Sequence, residues 1–168
     1  MTIERMRGAY EKGLEWLCIV LMGVLFLEVT LGVVFRTFGE SLVWYDEVAS
    51  ILLAWLTFYG SALASVKRAH IGCPEVMALM PPHAKLAFRV VAEIFTIGFF
   101  ILMGWTGYKV LGVLESDSLV SLPEVPVAWV QSVVPISAVL IVAAELLTLP
   151  GVLKKTLKPP AITGAASQ

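Results

Sequence analysis

Glu28 is the residue of this chain whose chemistry most needs an explanation. It lies inside an apolar stretch, about 10 Å from that stretch's far end at 1.5 Å per residue. An ionised acid at such a depth in lipid costs roughly 2.5 to 3.5 kcal/mol on insertion scales. Two uses would justify the cost. Glu28 could bind a proton and a cationic substrate in turn, as in a proton-coupled carrier, or it could make a packing contact with a polar neighbour or a partner protein. A carrier needs more than one polar group at mid-depth and this chain offers little else there, so packing is the favoured use. Arg89 and Glu93 stand four residues apart on one helical face, and Glu145 reaches a similar depth on a later helix. The three are expected to form a local ion cluster that fixes helix packing, with gating or ion passage as the alternative.

His70, Cys73 and His83 invite a metal site, but their gaps match no familiar zinc spacing and a fourth ligand is missing, so no metal is expected. Cys18 and Cys73 form neither a disulfide framework nor a CxxC pair, and each is expected to act as a small hydrophobe. The sequence contains no GxSxG, P-loop or HExxH, and Asp46 and Glu47 are neighbours that would point about 100° apart on a helix. Neither catalysis nor a cofactor is expected of this chain. The most informative segment is Arg36 to Ala49, RTFGESLVWYDEVA, in which Trp44 and Tyr45 suit a headgroup interface and Asp46 and Glu47 open a helix at the positive end of its dipole. An ordinary aromatic belt with a capped helix start accounts for much of that pattern.

The elements that must position these residues follow from composition. Of 168 residues 58% are hydrophobic and 15% charged, with a mean hydropathy of +0.87, where a soluble domain averages about 45 to 50% apolar and about 25% charged. The apolar residues come in blocks of about 20, the length that crosses a hydrocarbon core of roughly 30 Å. The expected fold is an all-α integral membrane protein of four transmembrane helices, at about residues 14–35, 48–66, 86–114 and 127–149, within a membrane domain of 14–150. The first block is too long for the apolar core of a cleaved signal peptide, and Arg36-Thr37-Phe38 is no A-x-A site. Arg89 and Lys109 are expected to snorkel to opposite interfaces. Glycines 98, 104, 107 and 112 in helix three, with Ala54, Gly60 and Ala64 in helix two, offer close helix approach.

Orientation is read from Lys and Arg, which short cytoplasmic segments retain. Arg5, Arg7 and Lys12 precede helix one; Lys67, Arg68 and Lys85 lie between helices two and three; Lys154, Lys155 and Lys158 follow helix four. The other two connections carry only Arg36, beside Glu40, Asp46, Glu47, Glu115, Asp117 and Glu124. An N-terminal segment 1–13 and a tail 151–168 are therefore both expected in the cytoplasm. Between helices two and three, a short amphipathic cytoplasmic arm at about 71–82 would start near Pro74, gather Val76, Met77 and Met80 on the membrane interface and end at Pro81-Pro82. A loop packed on the helix ends is the alternative. A net charge of −1 without a basic surface patch excludes a nucleic-acid partner and leaves the bilayer as the expected surroundings.

Taken in order, these pieces resemble the small membrane subunit, the Q-type or DctQ-like subunit, of tripartite ATP-independent periplasmic (TRAP) transporters over about residues 10–150. The resemblance rests on Phe35-Arg36 before a short Gly-containing turn, then Trp44-Tyr45-Asp46-Glu47 opening an uncharged helix with Ala49 and Trp55, then Lys67-Arg68-Ala69-His70-Ile71. It implies a bacterial inner-membrane protein that scaffolds a larger membrane (M-type) subunit, which carries substrate and sodium by an elevator motion and is fed by a periplasmic solute-binding protein. It further implies that Arg36, Trp44, Asp46 and Glu47 organise the outer face and that His70, Ile71 and the residues after them form the cytoplasmic arm. The family often follows His-Ile with a hydrophobic residue and Asp, whereas this chain has Gly72-Cys73-Pro74-Glu75. A dicarboxylate, another organic acid or a sialic acid is the implied cargo. The competing classes are a self-sufficient proton-coupled exporter using Glu28, like small multidrug-resistance proteins, and a membrane protein with a purely structural role.

Overall fold

A computed structural model of the chain describes residues 2–40, 42–67 and 81–157. Most of the proposed arm, with His70, Ile71 and Cys73, lies outside the described residues. Those residues form α1 (Thr2–Thr37), α2 (Tyr45–Lys67), α3 (Pro82–Val113), a 3₁₀ turn (Leu114–Ser116), the short α4 (Val127–Gln131) and α5 (Val133–Leu157). Four spans are long and apolar enough to cross a membrane, the fourth made of α4 and the first part of α5 together. The division between α4 and α5 has a local cause. Pro135 has no N–H to return to the carbonyl of Gln131, four residues earlier.

Local chemistry sets the helix ends. At the end of α1, Gly39 donates to the Arg36 carbonyl and Glu40 to the Phe35 carbonyl, at 3.2 and 3.1 Å. These paired bonds close the last turn only if the residue between them takes a left-handed backbone, and Gly39 has φ +84°. The α1–α2 turn is short for that reason. α3 opens with proline in its first turn, where a missing N–H costs nothing. Beyond the 3₁₀ turn the chain folds into a small hairpin: Ser118 bridges Pro126, Leu119 N–H donates to the Val125 carbonyl and Val127 N–H to the Asp117 carbonyl. The α1–α2 turn and this hairpin lie at one end of the molecule, the hairpin end, and Lys67 lies at the other.

The helices stand in a row, α1–α2–α5–α3, rather than in a square bundle, since α1 packs on α2, α2 on α5, and α5 on α3. α1 and α3 are the edges. α1 buries a single narrow stripe, Leu14, Cys18, Leu21, Glu28 and Gly32, at alternating spacings of three and four residues or their sums, which is the seam of two nearly parallel helix axes. The contiguous apolar core, Leu14, Ala62, Val66, Ile141 and Ala144, joins α1, α2 and α5 toward the Lys67 end. Most other apolar side chains, including Phe26, Phe95, Phe99 and Trp105, face outward. Lipid is as apolar as these side chains, so their exposure costs little and close packing has to hold the row together.

Glycine provides that packing at three points. The ring of Tyr45 occupies the space a Cβ on Gly32 would need. A Cβ at Gly104 would lie 3.1 Å from Ala138, and one at Gly107 would lie 3.1 Å from Val134 and 3.3 Å from Pro135. Gly98, Gly112 and Gly60 face open space instead. Hydrogen bonds add ties between helices. Arg7 donates to the Val66 carbonyl, Tyr10 hydroxyl to the Leu140 carbonyl and Trp55 Nε1 to the Val130 carbonyl, at 3.2, 2.7 and 3.0 Å. Lys67 pairs with Glu15.

Gly32→Leu is expected to force α1 off α2 and to lower the thermal midpoint of the purified protein in detergent, with an overpacking cost of about 1 to 3 kcal/mol. Gly98→Leu, in open space on α3, is the matched control and should leave that midpoint within error of wild type. Equal midpoints for the two variants would contradict the seam described above.

Candidate functional site

The hairpin end carries the most elaborate polar arrangement of the described residues, and Glu47 is its centre. Trp44 is the last residue before α2, its carbonyl receiving the Val48 N–H at 3.0 Å. Asp46 and Glu47 therefore fall in the first turn, where free backbone N–H groups and the helix dipole favour a carboxylate. Asp46 stays exposed. Glu47 instead reaches the hairpin: its Oε1 accepts the Val120 N–H at 3.2 Å, and its Oε2 accepts the Ser121 N–H at 2.8 Å and the Ser121 hydroxyl. Three donors on two successive residues thus meet one carboxylate. An ionised acceptor makes each such bond stronger than its neutral counterpart. The effect is to tie the start of α2 to a loop more than 70 residues further along the chain.

Around this tie lies an open groove of about 380 Å³, lined by Val43, Asp46, Glu47, Val120 and Ser121. Val43 and Val120 are 84% and 94% exposed. The surface is thus apolar at two protruding valines and acidic between them. Among the described residues, no convergent cations stand there.

The sequence singled out Arg36, Trp44, Asp46 and Glu47 together, and the structure separates them by role. Asp46 and Glu47 share the groove, Trp44 immediately precedes α2, and Arg36 lies in the last turn of α1 as an exposed side chain. Among the buried polar residues, Glu28 and Glu145 are enclosed, while Arg89 and Glu93 are half-buried. Glu145 accepts the Ser65 hydroxyl of α2, and Lys67 forms an ion pair with Glu15. Lys109 does not stand alone either, its Nζ lying 5.3 Å from the centre of the Trp105 ring on the same helix.

Ser121, Val120, Ser65 and Tyr10 escaped the reading of the sequence. A serine in a loop or a helix carries no mark of the acid it will meet. Only the preference of carboxylates for hydrogen-bond donors could have prompted a search for partners of Glu47 and of the buried Glu145.

A row of membrane-spanning helices with an acidic and apolar groove at its hairpin end agrees with one family, described as "Tripartite ATP-independent periplasmic transporters, DctQ component", whose sequence pattern matches residues 25–154. The chain belongs to this DctQ family. It is a component of a transporter family, not of an enzyme family, and a multi-pass membrane protein. A protein of Haemophilus influenzae (strain ATCC 51907 / DSM 11121 / KW20 / Rd), named as a TRAP transporter small permease protein, is 27% identical over 84 residues. That match covers 49% of this chain and 52% of the relative, about half of each. In this DctQ chain the matched region 25–154 takes in Glu28, Gly32, the whole α1–α2 turn, Glu47 and the hairpin.

Replacing Glu47 with Ala is expected to leave the Val120 and Ser121 amides without their acceptor and to speed their hydrogen exchange, measured by mass spectrometry on peptides covering the hairpin. Glu40→Ala, also at this end, should leave the hairpin's exchange unchanged. Identical exchange in the two variants would mean that Glu47 does not fasten the hairpin.

Proposed function

We propose that this chain is the small permease subunit of a TRAP transporter and that its work is to scaffold a larger membrane subunit, which itself carries the solute. The observation that carries the scaffold reading is the single-file row. A layer one helix thick has no interior in which to surround a solute, and the groove around Glu47 is an open surface. A second groove, apolar and of about 230 Å³, also lies open between α3 and α5, lined by Phe100, Gly104, Ala138 and Val142 among others. An anionic solute needs converging donors or cations in a concave site. Lipid-facing edges and close-packed seams are instead what a rigid companion to another membrane protein requires.

In this reading the hairpin end faces the outside of a bacterial inner membrane and both termini lie in the cytoplasm, because Lys and Arg collect at the Lys67 end and acids at the hairpin end. The groove at Val43, Asp46, Glu47 and Val120, with Arg36 and Trp44 nearby, supports the outer face of the complex, where a periplasmic solute-binding protein delivers cargo. His70 and Ile71 begin the cytoplasmic arm. Transport is coupled to sodium, the cargo is an organic acid, and this chain needs no cofactor. The alternative, a small proton-coupled exporter built on Glu28, calls for that acid to line a cavity open to solvent. Glu28 lies in a helix seam, which favours the scaffold.

Purified chain in sodium-energised vesicles should take up no organic acid by itself and should support uptake once the large subunit and the binding protein are added. Uptake by this chain alone, abolished by Glu28→Gln, would overturn the scaffold reading in favour of the exporter. Replacing Trp44, Asp46 and Glu47 with Ala together should reduce uptake by the complete system or recovery of the complex. Reporters active only outside the membrane should be silent when fused at Gln168 and active near Asp117, and activity at Gln168 would refute the orientation.

A further inference from the structure

Glu28 is only 9% exposed, and neither of its carboxyl oxygens has a hydrogen-bond partner among the described residues. Its place in the seam follows from its neighbours. One turn further along α1, Gly32 meets the ring of Tyr45, while at the other end Leu14 shares a core with Ala62 and Val66. Two antiparallel helices in that register set Glu28 against the first turns of α2, on the hairpin side of mid-seam. Two hydroxyls of these helices are engaged elsewhere. Thr30 donates to the Phe26 carbonyl and Ser50 to the Asp46 carbonyl, at 2.7 Å each and each within its own helix.

Among the described residues, the charged groups around Glu28 supply it no counter-ion. From α2 the charge that acts on it is Asp46, and Glu47 beyond is held by the hairpin. Lys67 of α2 and Arg7 of α1 are engaged at the opposite end. α5 touches α1 only lightly and brings Glu145, itself an acid, near the Lys67 end. Arg36 is two turns beyond Glu28 and exposed. A carboxylate here would be desolvated, unpaired and beside another acid, whereas the protonated acid carries no charge into the seam.

We propose that Glu28 is carried in the α1–α2 seam as a neutral carboxylic acid, and that its proton locks the hairpin-end half of that seam. The seam is closed while the proton is in place. Loss of the proton puts a negative charge between two helices on a carboxylate that accepts no hydrogen bond there, and drives apart the helix ends that meet at Gly32 and Tyr45. A carboxylic acid keeps its proton in acid and gives it up in base, so the lock is complete at low pH and is lost as that proton leaves. This property does not rest on the scaffold reading.

The test uses the full chain in lipid nanodiscs with its glutamates ¹³C-labelled at the side-chain carboxyl. Infrared spectra at neutral pH should contain the carbonyl band of a protonated glutamic acid that is missing from Glu28→Gln. The band should fade as the pH is raised, and the thermal midpoint of wild type should fall over the same range relative to that of Glu28→Gln. If Glu28→Gln does not fold, Glu28→Asp serves instead, because it keeps an acid at the site while removing it from the labelled set. A Glu28 that is ionised at neutral pH, or a gap in thermal midpoint that does not change with pH, would overturn the proposal.

Discussion

Association of helices in a bilayer has no hydrophobic reservoir to draw on, and this constraint shapes every contact in the row. A leucine on α3 gains little by leaving lipid for another helix. What remains is the fit of backbones against each other and the few polar groups that lipid cannot satisfy. The row uses both: glycine against a ring or a methyl at Gly32, Gly104 and Gly107, and side chains that bridge to another helix at Arg7, Tyr10, Trp55 and Ser65. α2 and α5, the inner pair of the row, take part in most of these ties.

The spans were legible in the sequence because length and hydropathy are properties of a segment alone. Leu14 to Phe35 had to be a helix wherever it packed. In the structure α1 continues as one helix back to Thr2, making it 36 residues long, about 54 Å at 1.5 Å per residue, well beyond a hydrocarbon core of roughly 30 Å. The order of the helices in the row was not legible. In a soluble helix the apolar stripe points to the core, but in this chain lipid-facing and helix-facing positions are both apolar, so Phe95 and Ile141 look alike in sequence although one faces outward and the other is enclosed.

The functional residues divide the same way. Asp46 and Glu47 could be recognised at a helix start from local sequence and from the resemblance of RTFGESLVWYDEVA to the TRAP small subunits. The hydrogen bonds that make Glu47 more than a helix start come from Val120 and Ser121, and a contact across more than 70 residues leaves no local trace. Helix three shows the limit of composition. Its four glycines look equivalent in sequence, yet two face α5 closely and two face open space. Gly32, in the α1 stripe four residues after Glu28, has the least room of all, and the aromatic residue that fills its notch is on another helix.

A file of four helices is a plank, and a plank is not equally stiff in all directions. With helix axes roughly 8 to 10 Å apart, the row is about four times as wide as it is thick. Bending stiffness grows steeply with depth along the direction of the load, so a push directed along the row, edge to edge through α1 and α3, meets far more resistance than one delivered to its broad face. Under a broadside push the seams act as hinges, and those with the fewest cross-ties yield first. A neighbour braced against an edge would find a firm abutment, and one lying across the face would find a surface that flexes with it.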